Sequence, residues 1–347
     1  MKILATFGAI FFLLLATASW AGEVSLELEV SGQKVTARWE APFEVREFIL
    51  FYAPWPKRNP IGSVPLGSLK ELSVTLPYGS AYYVAIGAFD DLGRFYLSNI
   101  EYFRVLEIYQ PPPGVSWQWQ LTGELDLNVP AELFDVDLFE TPPEVISALK
   151  ARGRKVICYL NAGAYEAWRP DAASFPEEIL GRPLEGWPQE RWLDIRRLDL
   201  LAPIMEARLD LAVEKGCDGI EPDNIDGYLN ATGFPLTRED QIRYNLWLAR
   251  EAHQRGLSIG LKNNPELACE LEPYFDWALS EECFTYGECE NFLCFISSGK
   301  AVLVAEYELD PEDFCPQALR LGLSAIKKHL ELDAYRLTCE EAGFGHP

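Results

Sequence analysis

The stretch Gly219-Ile-Glu-Pro-Asp-Asn-Ile-Asp-Gly-Tyr228 crowds Glu221, Asp223 and Asp226 together directly after a short apolar run. Carboxylates lose solvation when they leave water and repel one another at close range. A buried strand that ends in clustered acids is therefore kept for chemistry, a ligand or a metal rather than for packing. A second acidic pair, Glu281-Glu282, follows another apolar run at Trp277 to Glu281. Two carboxylates on different strands across a barrel mouth are the apparatus for cutting a glycosidic bond, one giving a proton to the leaving oxygen and the other acting as base or nucleophile. Glu221 or Asp223 facing Glu281 would form such a pair, and Ile220, Trp277 and the neighbouring acids would supply the setting that raises the pKa of the acid.

Elements must bring these residues together, and the pattern of the chain after Val115 supplies them. Strands are predicted at Val115–Leu121, Leu133–Phe139, Lys155–Asn161, Asp218–Glu221, Ser258–Lys262, Trp277–Glu281 and Val302–Glu306, with an eighth at Leu323–Lys327. Helices are predicted at Pro143–Arg152, Leu201–Lys215 and Arg238–Arg255. Roughly eight strands split by helices over more than about 200 residues fit a (β/α)8 TIM-type barrel better than an open doubly wound sheet. In such a barrel the chemistry lies at the C-terminal strand ends. Those ends carry Trp117, Trp119 and Gln120; Asp135, Asp137 and Glu140; Asn161, Tyr165 and Glu166; and Glu221, Asp223, Asn224 and Asp226. They continue with Lys262, Asn263 and Asn264, then Glu281 and Glu282, and finally Glu306 and Tyr307. Any one of these could serve as a cap or a salt bridge; seven strand ends converging on one rim argue for a site. Trp119, Trp168, Trp192 and Tyr228 could stack on sugar faces or pack in the core, and Asn263 and Asn264 could bind hydroxyls or amines.

Five blocks in order carry a resemblance. Cys158-Tyr-Leu-Asn-Ala-Gly-Ala-Tyr-Glu-Ala-Trp-Arg-Pro-Asp171, Trp192-Leu-Asp-Ile-Arg196, the Gly219–Tyr228 stretch, Leu261-Lys-Asn-Asn-Pro265 and Glu281-Glu-Cys-Phe-Thr-Tyr-Gly-Glu-Cys289 resemble glycoside hydrolase family 114 over about Trp117 to Leu330. The resemblance implies a (β/α)8 barrel with endo-α-1,4-polygalactosaminidase activity, hydrolysing a polymer rich in α-1,4-linked galactosamine without an obligatory cofactor. Carried over by position, it implies Glu221, Asp223 and Glu281 as catalytic residues. Trp119, Asp137, Asn161, Tyr165, Asn224, Asp226, Tyr228, Lys262, Asn263, Asn264, Glu306 and Tyr307 then become expected substrate contacts. Which acid protonates the leaving group, and whether configuration is retained or inverted, stays open at this level. The alternative reading is a non-catalytic sugar-binding barrel that anchors to an exopolysaccharide.

Other classes fit poorly. There is no Gly-x-Gly-x-x-Gly fingerprint or Walker loop. A zinc site would need paired Cys-x-x-Cys spacing or accompanying histidines, and the chain has only His253, His329 and His346. Asn224, Asp226 and Gly227 copy the third, fifth and sixth places of an EF-hand loop, but Pro222 and Gly233 stand where its first and twelfth acids belong, which argues against a calcium loop. The formal net charge of -23 would repel nucleic acid and would attract a galactosamine polymer with free, protonated amines.

Upstream, Lys2, an apolar run from Ile3 to Leu15 and the small residues before Ala21 have the layout of a secretory signal peptide, here taken as 1–21. That run is shorter than a membrane span, so no stable membrane insertion is expected. Residues 22–107 alternate apolar and polar in short runs, and Leu76 to Asn99 resembles the last two strands of a fibronectin type III domain. Tyr82 or Tyr83 would then be the corner tyrosine and Trp39 the core tryptophan. The Pro-rich segment 108–114 reads as a stiff linker to the barrel at 115–340. The eight cysteines are an even number suited to disulfides after export. Cys158 and Cys217 sit in apolar contexts that suit small core residues, whereas Cys283, Cys289 and Cys294 bracket a loop and suit a bridge.

Overall fold

The computed structural model describes residues 24–55, 58–77 and 79–345, so the signal-type segment 1–21 lies outside the described residues. The chain forms two compact units, divided after Glu107.

The N-terminal unit has two antiparallel sheets. One has the order β1 (Ser25–Ser31), β2 (Lys34–Glu40), β5 (Glu71–Thr75). The other has the order β4 (Gly62–Gly67), β3 (Glu47–Pro54), β6 (Ala81–Phe89), β7 (Phe95–Leu97), and β8 (Glu101–Arg104) also pairs with β6. The two-residue period of β2 turns Val35, Ala37 and Trp39 to one side, where they meet Val84, Ile86 and Ala88 of β6. Trp39 is buried, and its indole donates to the Leu69 carbonyl at 2.9 Å. Tyr82 packs against Phe103, and Tyr83 against the half-exposed Tyr102.

The second unit is built on parallel strands β9 (Trp117–Gln120), β10 (Leu133–Asp137), β11 (Lys155–Asn161), β15 (Gly219–Asp223), β16 (Ser258–Lys262), β17 (Trp277–Glu281), β18 (Val302–Glu306) and β19 (Ser324–Lys327), paired in that order. A short β20 (Leu337–Thr338) adds antiparallel to β19. The helices are α1 (Pro143–Ala151), α2 (Leu198–Lys215), α3 (Arg238–Gln254), α4 (Ala268–Leu271), α5 (Cys283–Tyr286), α6 (Leu293–Ser297) and α7 (Pro311–Leu321). Local chemistry sets the helix ends. Thr237 and Asp240 close a reciprocal capping box at the start of α3, and Gly216 and Gly322 take left-handed conformations after α2 and α7.

The sheet curls until its ends meet. Trp117 and Trp119 of β9 share one apolar cluster with Ile157, Leu279, Leu303 and Ile326, whereas the alternate residues of the strands, such as Val136, Leu160 and Ile220, pack outward with the helices. The Trp117 indole donates to the Ser324 carbonyl on β19 at 2.8 Å, and the Leu121 amide donates to the Leu332 carbonyl at 2.9 Å. Among the described residues no backbone ladder joins β9 to β19 directly.

No helix lies between β9 and β10, in keeping with a segment too short and polar to bury an apolar stripe. Two features differ from the sequence expectations. After β11 the chain instead makes a small antiparallel sheet of β12 (Ala164–Glu166), β14 (Trp187–Leu193) and β13 (Leu180–Leu184). Finally, Cys158 and Cys217 are bonded to each other rather than being free core residues, and the remaining bridges are Cys269–Cys294, Cys283–Cys289 and Cys315–Cys339. The first of these closes a loop of 59 residues between β11 and the start of β15, which in the chain-entropy account stabilises by about 4 kcal/mol.

Candidate active site

Strand alternation decides what faces inward. On β15, Gly219, Glu221 and Asp223 share one face while Ile220 joins the outer core. The parallel register sets Glu221 level with Tyr159 and Asp223 level with Asn161. On β16 the same period turns Ser258, Gly260 and Lys262 inward. Gly260 has no side chain because the Trp277 ring occupies the place of its Cβ, which would lie 2.5 Å from ring atoms.

Lys262 is the centre of the arrangement. Its ammonium lies 2.7 Å from Glu221, 3.0 Å from Asp223 and 3.2 Å from Glu281, and 4.8 Å from the centre of the Trp119 ring. Burial opposes a charge there, but the three carboxylates outweigh it and hold the ammonium well above the usual lysine range. The two carboxylates nearest solvent are oriented by hydroxyls and amides. Tyr307 donates to Glu281 at 2.5 Å, Asn263 Nδ2 donates to it at 3.2 Å, and Tyr159 donates to Asp223 at 2.9 Å. Immediately after these acids and the lysine the backbone turns left-handed, at Asn224 (φ 59°), Asn263 (φ 49°), Asn264 (φ 65°) and Glu282 (φ 55°). Such turns at consecutive strand ends re-aim the side chains that precede them, at a strain the surrounding packing has to hold.

Glu221 sits differently. It is fully buried beneath Lys262, one of its oxygens has no partner, and beside it lies Asp135, also fully buried with neither oxygen bonded. Burial raises both carboxyls: Glu221 to about 7, against the opposing Lys262 and with the charges of Asp223 and Glu281 adding, and Asp135 well above its ordinary value, with Glu221 adding. A proton is therefore held on this pair near neutral pH.

Above this floor opens a cleft of about 750 Å³. One wall holds Arg169, which is buried and bonds Asp137 through both nitrogens at 2.9 and 2.7 Å and Glu166 at 2.8 Å. Trp168 and Trp187 line the cleft with roughly half of each side chain exposed.

Of the residues expected from sequence, Asp223, Glu281, Lys262, Asn224, Asn263, Asp226, Asp137 and Trp119 line the cleft. Glu221 lies behind it, and Tyr307 reaches it through Glu281. Asn161 is sealed in, spanning the Ala164 amide and Glu190. Four further expected substrate contacts lie outside the cleft lining. Tyr165 packs edge-on against Phe175. Asn264 is buried on the Ile225 carbonyl. Tyr228 donates to Glu266. Glu306 is buried and accepts from the Phe284 amide and the Thr285 hydroxyl that open α5. Glu306 follows the inward-facing Ala305 by one residue, and Asn264 follows the left-handed Asn263. The sequence reading passed over Tyr159, Glu190, Arg169 and Trp187, and named Asp135 without assigning it to the site. Tyr159 and Asp135 were legible by alternation, two positions before Asn161 and Asp137.

Residues 103–343 match the family model described as glycoside-hydrolase family GH114. The chain belongs to glycoside hydrolase family GH114. It is therefore a glycoside hydrolase, similar to the endo-α-1,4-polygalactosaminidases of the family. The structure is similar to that of Aspergillus fumigatus Ega3 solved in complex with galactosamine, at 38% identity and TM-score 0.64 over 67% of this chain and 97% of that one. The glycoside hydrolase domain of PelA from Pseudomonas aeruginosa has TM-score 0.50 and 14% identity over 66% of this chain and 99% of its own, and so shares the fold. An uncharacterized protein of Deinococcus radiodurans is 28% identical over 229 residues, 56% of this chain and 73% of that protein. The GH114 match places the five blocks and the Lys262 centre inside one family unit, apart from most of the N-terminal sheets.

Proposed function

We propose that this GH114 enzyme cleaves internal bonds of an α-1,4-linked, galactosamine-rich polysaccharide, with Asp223 and Glu281 as its catalytic carboxylates and Glu221 as a positioning residue beneath them. The observation that carries the reading is that two cleft-facing acids from neighbouring parts of the rim share the Lys262 ammonium. Their bonded oxygens are thereby held within roughly 6 Å of each other, short of the 6.5–9.5 Å that leaves room for an attacking water, which favours retention. One carboxylate then attacks the anomeric carbon while the other protonates the departing oxygen, and water, deprotonated by the second, releases the glycosyl-enzyme.

The galactosamine bound in the similar Ega3 structure supports the choice of sugar. The four disulfides favour an oxidising compartment, consistent with export by the N-terminal segment, and no helix among the described residues is long and apolar enough to cross a membrane. We read the curled parallel sheet as a (β/α)8 barrel, and the three- and five-stranded sheets before it as a fibronectin type III-like spacer.

The test is reducing-end release from deacetylated α-1,4-galactosaminan, from its N-acetylated form and from an uncharged α-glucan. Asp223→Asn and Glu281→Gln should each lower release by at least about a thousandfold while leaving thermal unfolding unchanged. Proton NMR of the first product should show the α anomer. Polymer binding without cleavage by the wild type would replace the hydrolase with a sugar-binding barrel; full activity in Glu281→Gln would remove that residue from the pair.

A further inference from the structure

Most acids around the cleft share a cation; Glu190 and Asp226 have none among the described residues, and of these two only Glu190 is set opposite another acid in a sheet. Asp137 and Glu166 share Arg169, and Glu221, Asp223 and Glu281 share Lys262. Glu190 lines the same cleft and is 8% exposed, yet it has no ion-pair partner among the described residues; its one hydrogen bond comes from Asn161 Nδ2 at 3.0 Å. Its position makes this costly. Glu190 stands directly opposite Glu166 in the β12–β14 register, and like charges at such a position destabilise a sheet. Burial, with the charges of Glu166 and Asp223, pushes its carboxyl up to about 8, against a weaker opposing effect of Arg169. A carboxylate buried beside two others, open to a cleft and without a counter-ion is a vacancy for a cation brought by the ligand.

We propose that Glu190 binds the protonated primary amine of the hexosamine residue lying next to Asp223, and that this contact selects free amino sugars over their N-acetylated and neutral counterparts. The proposal rests on the hydrolase reading for the position of the sugar, and it adds the group that reads the amine. An ammonium ion completes the charge balance of the wall and accounts for an acid the fold would otherwise be better without. An acetamide cannot do so, because it brings no charge and would leave the carboxylate desolvated or protonated. Trp168 and Trp187, exposed on the same side of the cleft, supply faces for the sugar ring.

The experiment compares wild type with Glu190→Gln, a near-isosteric change that keeps the Asn161 contact. With deacetylated galactosaminan, kcat/KM should fall by roughly thirtyfold or more, with N-acetylated polymer little changed, so that the preference collapses. In calorimetry, galactosamine should bind wild type and lose affinity for the variant, while N-acetylgalactosamine should not distinguish the two. Without ligand the variant should be the more stable protein. The carboxyl is raised in the fold from an ordinary 4.5 to about 8, so wild type loses stability as pH climbs through that window and the Gln variant does not. The gap in Tm should therefore widen from pH 5 to pH 8. An unchanged preference together with unchanged galactosamine affinity overturns the assignment even if the enzyme is active. If wild type cleaves nothing, the hydrolase reading fails, and the binding comparison still decides the role of Glu190.

Discussion

Lys262 sets the electrostatics of the floor, and the buried Asp135 and Glu221 set the conditions under which it works. Both carboxyls are raised by burial, so the folded protein favours their protonated forms. Their contribution to stability is then complete below the ordinary carboxylate range and is lost as pH rises toward about 7. Asparagine at position 135 keeps the shape and cannot ionise. The curve of Tm against pH for Asp135→Asn should be flatter than that of wild type between pH 4.5 and 7, and an equally steep curve would show that the pair does not hold the proton. Asp135 was visible in the sequence as an acid two residues before Asp137, but its significance depends on Glu221 of β15, 86 residues further along the chain. That coupling is tertiary and leaves no local trace.

At the level of elements, β15 is positioned from behind by a glycine. The Cβ of any residue at 163 would lie 1.7 Å from the Asn224 carbonyl oxygen, and the amides of Ala162 and Gly163 both donate to the Asp223 carbonyl at 3.0 Å. Gly163→Ala must push the strand end outward and carry Asp223 with it. Displacing a catalytic group by about 1 Å typically costs on the order of a hundredfold in rate, so on the role proposed for Asp223 kcat should fall by about that factor while the protein still unfolds cooperatively. The parallel strands themselves were legible because each is a compact apolar run ending in polar residues, and strands such as β11, β16, β17 and β18 fall where the pattern put them. The small sheet of β12, β13 and β14 was not. Its strands are short, β13 contains Gly181 and Pro183, and the pairing slips register twice, so the two-residue period is broken. Helix α7 was hidden for a related reason: Pro311 and Pro316 read as breakers, although the first sits at the helix start where its missing donor costs nothing.

At the scale of the molecule, the acidity is not spread evenly. Residues 108–347 carry 42 acidic and 21 basic side chains, whereas residues 1–107 carry 11 and 9. The polycationic substrate proposed above would be attracted to the unit that holds the cleft. kcat/KM for the deacetylated polymer should therefore fall as sodium chloride is raised from 20 to 300 mM, because screening shortens the reach of the field to about 10 Å or less. Cleavage of an N-acetylated oligomer, if it occurs, should be nearly salt-independent, and a parallel decline would trace the effect to the protein rather than to the field.

The ammonium between Asp223 and Glu281 also bears on inhibition. Iminosugars owe their potency against many glycosidases to a ring nitrogen that carries positive charge into the gap between two acids. In the proposed site a buried cation already lies between these acids, so such a compound would gain less attraction than two free carboxylates would give. Neutral, covalently reactive sugar analogues, which need only an exposed carboxylate, are the better starting chemistry.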